Sequence, residues 1–105
     1  MARKIETLMN AAIVQGKNFS RDNTRVEHNN GVAEVYLHGN KIAEIHETSL
    51  RLFDGGWRTN TTKSRLNAIL RENGAGDESI YQKDFCWYIS HDGIVEEFES
   101  GMILS

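Results

Sequence analysis

Between Gly55 and Arg65 the chain reads Gly-Gly-Trp-Arg-Thr-Asn-Thr-Thr-Lys-Ser-Arg, a segment that gathers residue types suited to holding an anion. Gly55-Gly56 breaks whatever precedes it. Thr59, Asn60 or Thr61 can accept a hydrogen bond from the unpaired N–H groups of a helix's first turn. Arg58, Lys63 and Arg65 add positive charge at an end that is already partly positive, each at a cost of about 0.3–1 kcal/mol at an exposed site. An anion seated there resolves the mismatch, because free N–H groups, hydroxyls and basic side chains together make a phosphate or carboxylate site.

Three sources of that anion are open. An acidic protein surface would make the segment a partner-binding site, with Trp57 as an aromatic contact. A nucleic-acid backbone would use Trp57 for stacking and Lys63, Asn67 and Arg71, four residues apart along one helix line, to follow the phosphates. The chain's own acidic C-terminal strands would neutralise the cluster internally and leave Trp57 in the core. A nucleotide P-loop is excluded, since no G-x-x-x-x-G-K-[ST] precedes the helix.

Elsewhere the chemistry is thin. His28, His38, His46 and His91 are scattered over different strands, and no H-x-H, H-E-x-x-H or C-x-x-C spacing accompanies them, so no metal or other cofactor is expected. Cys86 stands alone between Phe85 and Trp87, which predicts a packed thiol and no disulfide. No nucleophile elbow is present, and the chain reads as a non-enzyme. Glu96, Glu97 and Glu99 could cooperate only as the pair Glu97 and Glu99, because adjacent strand residues point to opposite faces. A solvated edge whose charge discourages unwanted strand pairing is the simpler role.

The formal charge of −3 conceals an uneven distribution. Arg51, Arg58, Lys63, Arg65 and Arg71 face only Asp54 and Glu72 between positions 51 and 76. From position 77 onward Lys83 stands alone against Asp77, Glu78, Asp84, Asp92, Glu96, Glu97 and Glu99. Such asymmetry suits a charged partner, internal pairing, or association of two copies. The length of 105 residues suits one domain. No apolar run is long enough for a bilayer span or a signal peptide, which predicts a soluble cytoplasmic protein.

The elements that must position these residues follow from periodicity. Ile5, Leu8, Met9, Ala12 and Ile13 form one helical stripe over Arg3 to Gln15, ended by Gly16. Strands are predicted at Thr24 to His28 and Val32 to His38 around Asn29-Asn30-Gly31, and at Lys41 to Glu47 after Gly39-Asn40. Leu50 to Phe53 adds a short strand, and a second helix runs from about Thr61 to Asn73. Two aromatic-rich strands, Ile80 to Ser90 and Ile94 to Glu99, close on Asp92-Gly93. That register sets Trp87 opposite Phe98 and places Phe85, Trp87, Ile89, Ile94 and Phe98 on one face, the inner one. Tyr36, Tyr81 and Tyr88 are the aromatics expected outside. The expected fold is α+β, a mostly antiparallel sheet of about five or six short strands with two helices packed against it.

Three segments carry a family resemblance: Met9-Asn10-Ala11-Ala12-Ile13, Val35-Tyr36-Leu37-His38-Gly39-Asn40-Lys41-Ile42-Ala43, and the run from Gly56 to Leu70. Phe85-Cys86-Trp87-Tyr88 and Phe98-Glu99-Ser100-Gly101-Met102 suit the same pattern. Together they resemble a family of small proteins encoded by tailed bacteriophages. The resemblance implies expression in the cytoplasm of an infected bacterium and an accessory role, such as inhibition of a host enzyme or antiviral defence. It supplies no catalytic residues. The expectation is therefore a protein that binds a host or phage protein with an acidic surface, contacts being Trp57, Arg58, Lys63, Arg65, Asn67 and Arg71. Nucleic acid is the alternative partner for the same residues.

Overall fold

The computed structural model describes residues 3–104. Helix α1 (Lys4–Gln15) buries Met9, Ala12 and Ile13 as the apolar stripe requires, and with them the polar Glu6 and Asn10. Gly16 ends the helix in the left-handed conformation, at a φ of 68°, where a Cβ would be strained.

Strands β1 (Phe19–Arg21), β2 (Thr24–Asn29), β3 (Val32–Leu37), β4 (Asn40–Ile45) and β5 (Leu50–Leu52) then run up and down, each antiparallel to the last. The turns at Asn30-Gly31 and His38-Gly39 have positive φ at both central residues, the form whose twist matches that of the flanking strands. Ala33, Val35 and Leu37 alternate inward along β3, and Ile42 and Ala43 of β4 join them in the core. Strand β9 (Met102–Leu104) returns to pair with β5 and completes a six-stranded sheet in the order β1-β2-β3-β4-β5-β9.

Helix α2 (Asn60–Asn73) follows β5, and strands β6 (Ser79–Lys83), β7 (Cys86–His91) and β8 (Ile94–Glu97) form a separate antiparallel sheet. The fold class is the expected α+β, with nine strands among the described residues divided between two sheets. α1 packs on β2 and on α2, while α2 touches β4 on one side and β6 on the other. Being covered from several directions, α2 buries Thr62, Arg65, Leu66, Ala68, Ile69 and Leu70. Trp87 and Phe98 meet edge to face with centroids 5.6 Å apart, as their predicted opposition requires, and join Ile80 and Ile89 in the same core.

Two expectations are corrected here. The stretch from Ile80 to Ser90 is two strands, folded at Asp84-Phe85, where both residues adopt positive φ. Phe85 therefore sits at a turn and is 95% exposed, and Ile94, on the edge strand, is 56% exposed. Neither is part of the buried core, although Ile94 keeps its expected register on the Trp87 and Ile89 face. Tyr81 and Tyr88 stack on each other at 5.8 Å on the outer side of the small sheet, and Tyr36 lies under the Arg25 guanidinium at 4.3 Å.

Candidate functional site

The loop from Asp54 to Thr59 carries the sequence's anion-binding signature, and hydrogen bonds fix almost all of it. The Asp54 carboxylate accepts from the Gly56 N–H at 2.8 Å and from Arg58 Nε at 3.2 Å, while the Asp54 N–H donates to the Ser100 hydroxyl. Gly55 has a φ of 69°, and a Cβ there would stand 3.1 Å from Ile42, so the sharp bend depends on glycine. Thr59 is the N-cap: its hydroxyl accepts from the Thr62 N–H at 3.1 Å, and the Thr62 hydroxyl reaches back to the Trp57 carbonyl. The residue between these ties is left outside. Trp57 is 71% exposed, not a core residue.

The cations divide into three kinds. Arg58 is paired with Asp54, donates to the Phe98 carbonyl at 3.2 Å, and lies 5.5 Å and 5.6 Å from the ring centres of Trp87 and Phe98. Arg65 is 3% exposed; its guanidinium meets Glu6 at 2.8 Å, Thr24 at 3.0 Å and Asn23 at 3.2 Å. Lys63 and Arg71 lie nearer the surface, Lys63 reaching Gln82 at 3.3 Å and Arg71 standing in the last turn, where a cation complements the helix dipole.

Two of the three cations at the start of α2, Arg58 and Arg65, are thus met by carboxylates of the chain itself. The first turn of α2 contains no acid. Glu6 arrives from α1 instead and accepts from the Ser64 hydroxyl at 2.5 Å as well as from Arg65, while Asp54 neutralises Arg58. The donors of this negative charge are Glu6 and Asp54, not the C-terminal strands. Burial by itself would raise the Glu6 pKa, but the Ser64 hydroxyl, the Arg65 guanidinium and the Arg3 backbone N–H outweigh it and hold the carboxyl below its ordinary value. Asp54 is lowered in the same way, its desolvation overcome by the Gly56 N–H and Arg58.

Asn67 also leaves the predicted outward line. Its side-chain amide donates to the Ile80 carbonyl at 2.9 Å and accepts from the Ile80 N–H at 2.7 Å, clipping α2 to β6. Lys63 and Arg71, eight residues apart, stand about 12 Å from each other along the axis. The six candidate residues consequently do not form one surface. Trp57, the outer part of Arg58 and Lys63 lie towards the start of the helix; Arg71 lies towards its end.

Beside Trp57 opens a groove of about 340 Å³, walled by Leu37, His38, Asn40 and Ile42 of the β3–β4 hairpin and by Asp54, Gly55, Thr59 and Thr61. Its lining is mainly apolar. Sequence reasoning found Trp57 and missed the hairpin wall, because the two segments meet only through the tertiary fold. It also missed Glu6, whose signal was present: Glu6, Asn10 and Ile13 share a helical face, so a carboxylate borders the apolar stripe.

The histidines are engaged apart from one another. His28 meets the Ala12 carbonyl, His46 meets Glu44, His91 meets Glu96, and His38 occupies a turn. Among the described residues no three His, Cys, Asp or Glu side chains converge as a metal site would need. Cys86 is half-buried at the start of β7. No described helix is long and apolar enough to cross a membrane.

Neither the curated proteins nor the solved structures contain a match to the chain. The family model described as Kyanoviridae Gp96 protein matches residues 2–105, nearly the whole sequence, including every segment that carried the phage resemblance. The chain belongs to this family of T4-like cyanophage proteins.

Proposed function

We propose that this phage protein is a non-enzymatic accessory factor that binds a host or phage protein in the host cytoplasm, with Trp57 as its anchor. The observation that carries the proposal is the tryptophan itself: a large aromatic side chain, 71% exposed, on a loop pinned by its neighbours and beside an apolar groove. Tryptophan is among the residues most enriched at the energetic centres of interfaces, and a pre-ordered loop avoids the entropy cost of fixing it on binding. The partner's apolar side chain enters the groove. Acidic groups around it meet Lys63 and the exposed part of Arg58, and inhibition of a host enzyme or antiviral defence is the natural consequence of such capture.

A protein partner is favoured over nucleic acid because Asn67 is clipped to β6, which interrupts the line of Lys63, Asn67 and Arg71 that a phosphate backbone would follow, and Arg65 is spent on Glu6. The test is site-directed photo-cross-linking in infected-cell extract. A benzophenone amino acid replaces Trp57 in one variant and Glu72, in the last turn of α2, in another. A discrete adduct from position 57 alone is expected, competed by the unlabelled chain at least about tenfold better than by its Trp57→Ala form. Equal labelling from both positions, competition unaffected by Trp57→Ala, or an adduct consisting of nucleic acid would refute the proposal.

A further inference from the structure

The small sheet ends in β8 and the large sheet in β9, and no described strand pairs with the outer side of either. The Phe98 N–H donates to the Trp87 carbonyl at 2.9 Å, and His91 pairs with Ile94. By antiparallel alternation, Ile94 and Glu96 direct their backbone N–H and C=O groups to β7, whereas Val95 and Glu97 direct theirs outward. All four residues are exposed.

This open edge borders a groove of about 410 Å³. His91, Glu96, Glu97 and Glu99 line it together with Ile103 of β9, itself 62% exposed, and His91 bonds Glu96. An exposed edge with outward backbone groups is a template for another strand unless something blocks it. Here there is no proline, lysine or bulge to do so; the only deterrent is acidic charge, which discriminates between strands. A second β8 fits poorly, because His91 already occupies Glu96 and pairing two such edges would crowd the Glu97 carboxylates of both copies with no lysine or arginine on either strand to meet them. The same charges attract a strand of opposite sign.

We propose that the outer edge of β8 accepts an extended basic segment of a partner protein as an added strand. The Val95 and Glu97 backbone groups supply its hydrogen bonds, Glu96, Glu97 and Glu99 meet its lysines or arginines, and Ile94, Val95 and Ile103 receive its apolar side chains. This surface involves none of the Trp57 groove.

The full chain, labelled with nitrogen-15, is titrated at low salt with a synthetic peptide of alternating lysine and valine, and amide exchange is followed. Exchange at Val95 and Glu97 is expected to slow by at least about tenfold, with little change at Ile94 and Glu96, whose amides already bond to β7. A peptide with glutamate in place of lysine should give no protection. Replacing Glu96, Glu97 and Glu99 together by glutamine should weaken the lysine peptide by about an order of magnitude. Val95→Pro removes an outward donor and no bond to β7, so it should abolish the protection; if that variant fails to fold, the glutamine variant decides. Shift changes spread over the acidic surface without protection of Val95 and Glu97 would overturn the proposal, as would undiminished binding by the glutamine variant. Concentration-dependent dimerisation that Val95→Pro abolishes would assign the edge to a second copy and overturn it equally.

Discussion

Arg65→Met tests whether the basic cluster at the start of α2 is spent inside the molecule. The Arg65 and Glu6 side chains are 4% and 2% exposed, and their charged atoms meet at 2.8 Å. Removing the guanidinium leaves a buried carboxylate held only by Ser64 and the Arg3 N–H. It also withdraws the donors that Thr24 and Asn23 accept from. Breaking a buried pair in this way costs about 3–5 kcal/mol, a large part of the roughly 5–15 kcal/mol that holds a small domain together. Urea unfolding followed by Trp87 fluorescence should show that loss, and Tm should fall by more than about 12 °C.

Two controls sharpen the expectation. Glu6→Leu combined with Arg65→Met should be less destabilised than Arg65→Met alone, since no unpaired charge then remains buried. The difference between wild type and Arg65→Met should also narrow in acid. In the wild type Glu6 is depressed below its ordinary value of 4.5, so its contribution is present above that pH and fades as pH falls through the depressed value. In the variant, protonation of the stranded carboxyl relieves the penalty. A loss below about 1 kcal/mol, the size expected of an exposed ion pair, would refute internal neutralisation and return Arg65 to the surface as a contact for an outside acid.

Other elements can be tested more briefly. Asn67→Ala should destabilise by about 1–3 kcal/mol in the same unfolding assay, because the Ile80 N–H and carbonyl both lose their partner. Thr59→Ala removes the N-cap acceptor of α2 and should cost about 0.5–2 kcal/mol, with Thr59→Ser restoring most of it. His91 should titrate above its ordinary value of 6.5, chiefly because of its hydrogen bond to Glu96. The pair's contribution is then complete below that ordinary value and lost as pH rises through the raised one. Imidazole shifts in Glu96→Gln check this: a midpoint that does not fall would contradict the contact.

Local chemistry made much of the fold legible. Asn30-Gly31 and Asp92-Gly93 announce their hairpins and the stripe through Met9 and Ile13 defines α1, whereas the turn expected at Gly39-Asn40 falls one residue earlier, at His38-Gly39, leaving Asn40 to pair with Leu37. Asp84-Phe85 gave no such signal, because a bulky residue in the left-handed region is a poor turn former. The pattern around it therefore reads as one continuous strand that would carry Phe85 into the core. Strands β1 and β9, three residues each, are too short for an alternation pattern. Their pairing follows from where the sheet leaves an edge. The charge mismatch at α2 points, within the chain, to the acidic C-terminal strands, whereas Arg65 meets Glu6, which lies 59 residues before it, and no local pattern shows that pairing.

That resolution changes what kind of recognition the protein can offer. Arg65, which locks α1 onto α2, is not free to attract a partner, and the recognition proposed above falls mainly to groups that the fold holds in place but leaves unpaired: the Trp57 ring beside its groove and the backbone edge of β8. Arg58 links the two surfaces, since one guanidinium bonds Asp54 at the base of the Trp57 loop and the Phe98 carbonyl where β8 ends. The Asp54 N–H and the Ser100 hydroxyl repeat the connection. Two sites joined through such short contacts can share one partner, and binding at either would then raise the effective concentration at the other. With Arg65 and Glu6 joined between the two helices, the proposed recognition through an aromatic anchor and an open strand draws on groups that folding does not consume.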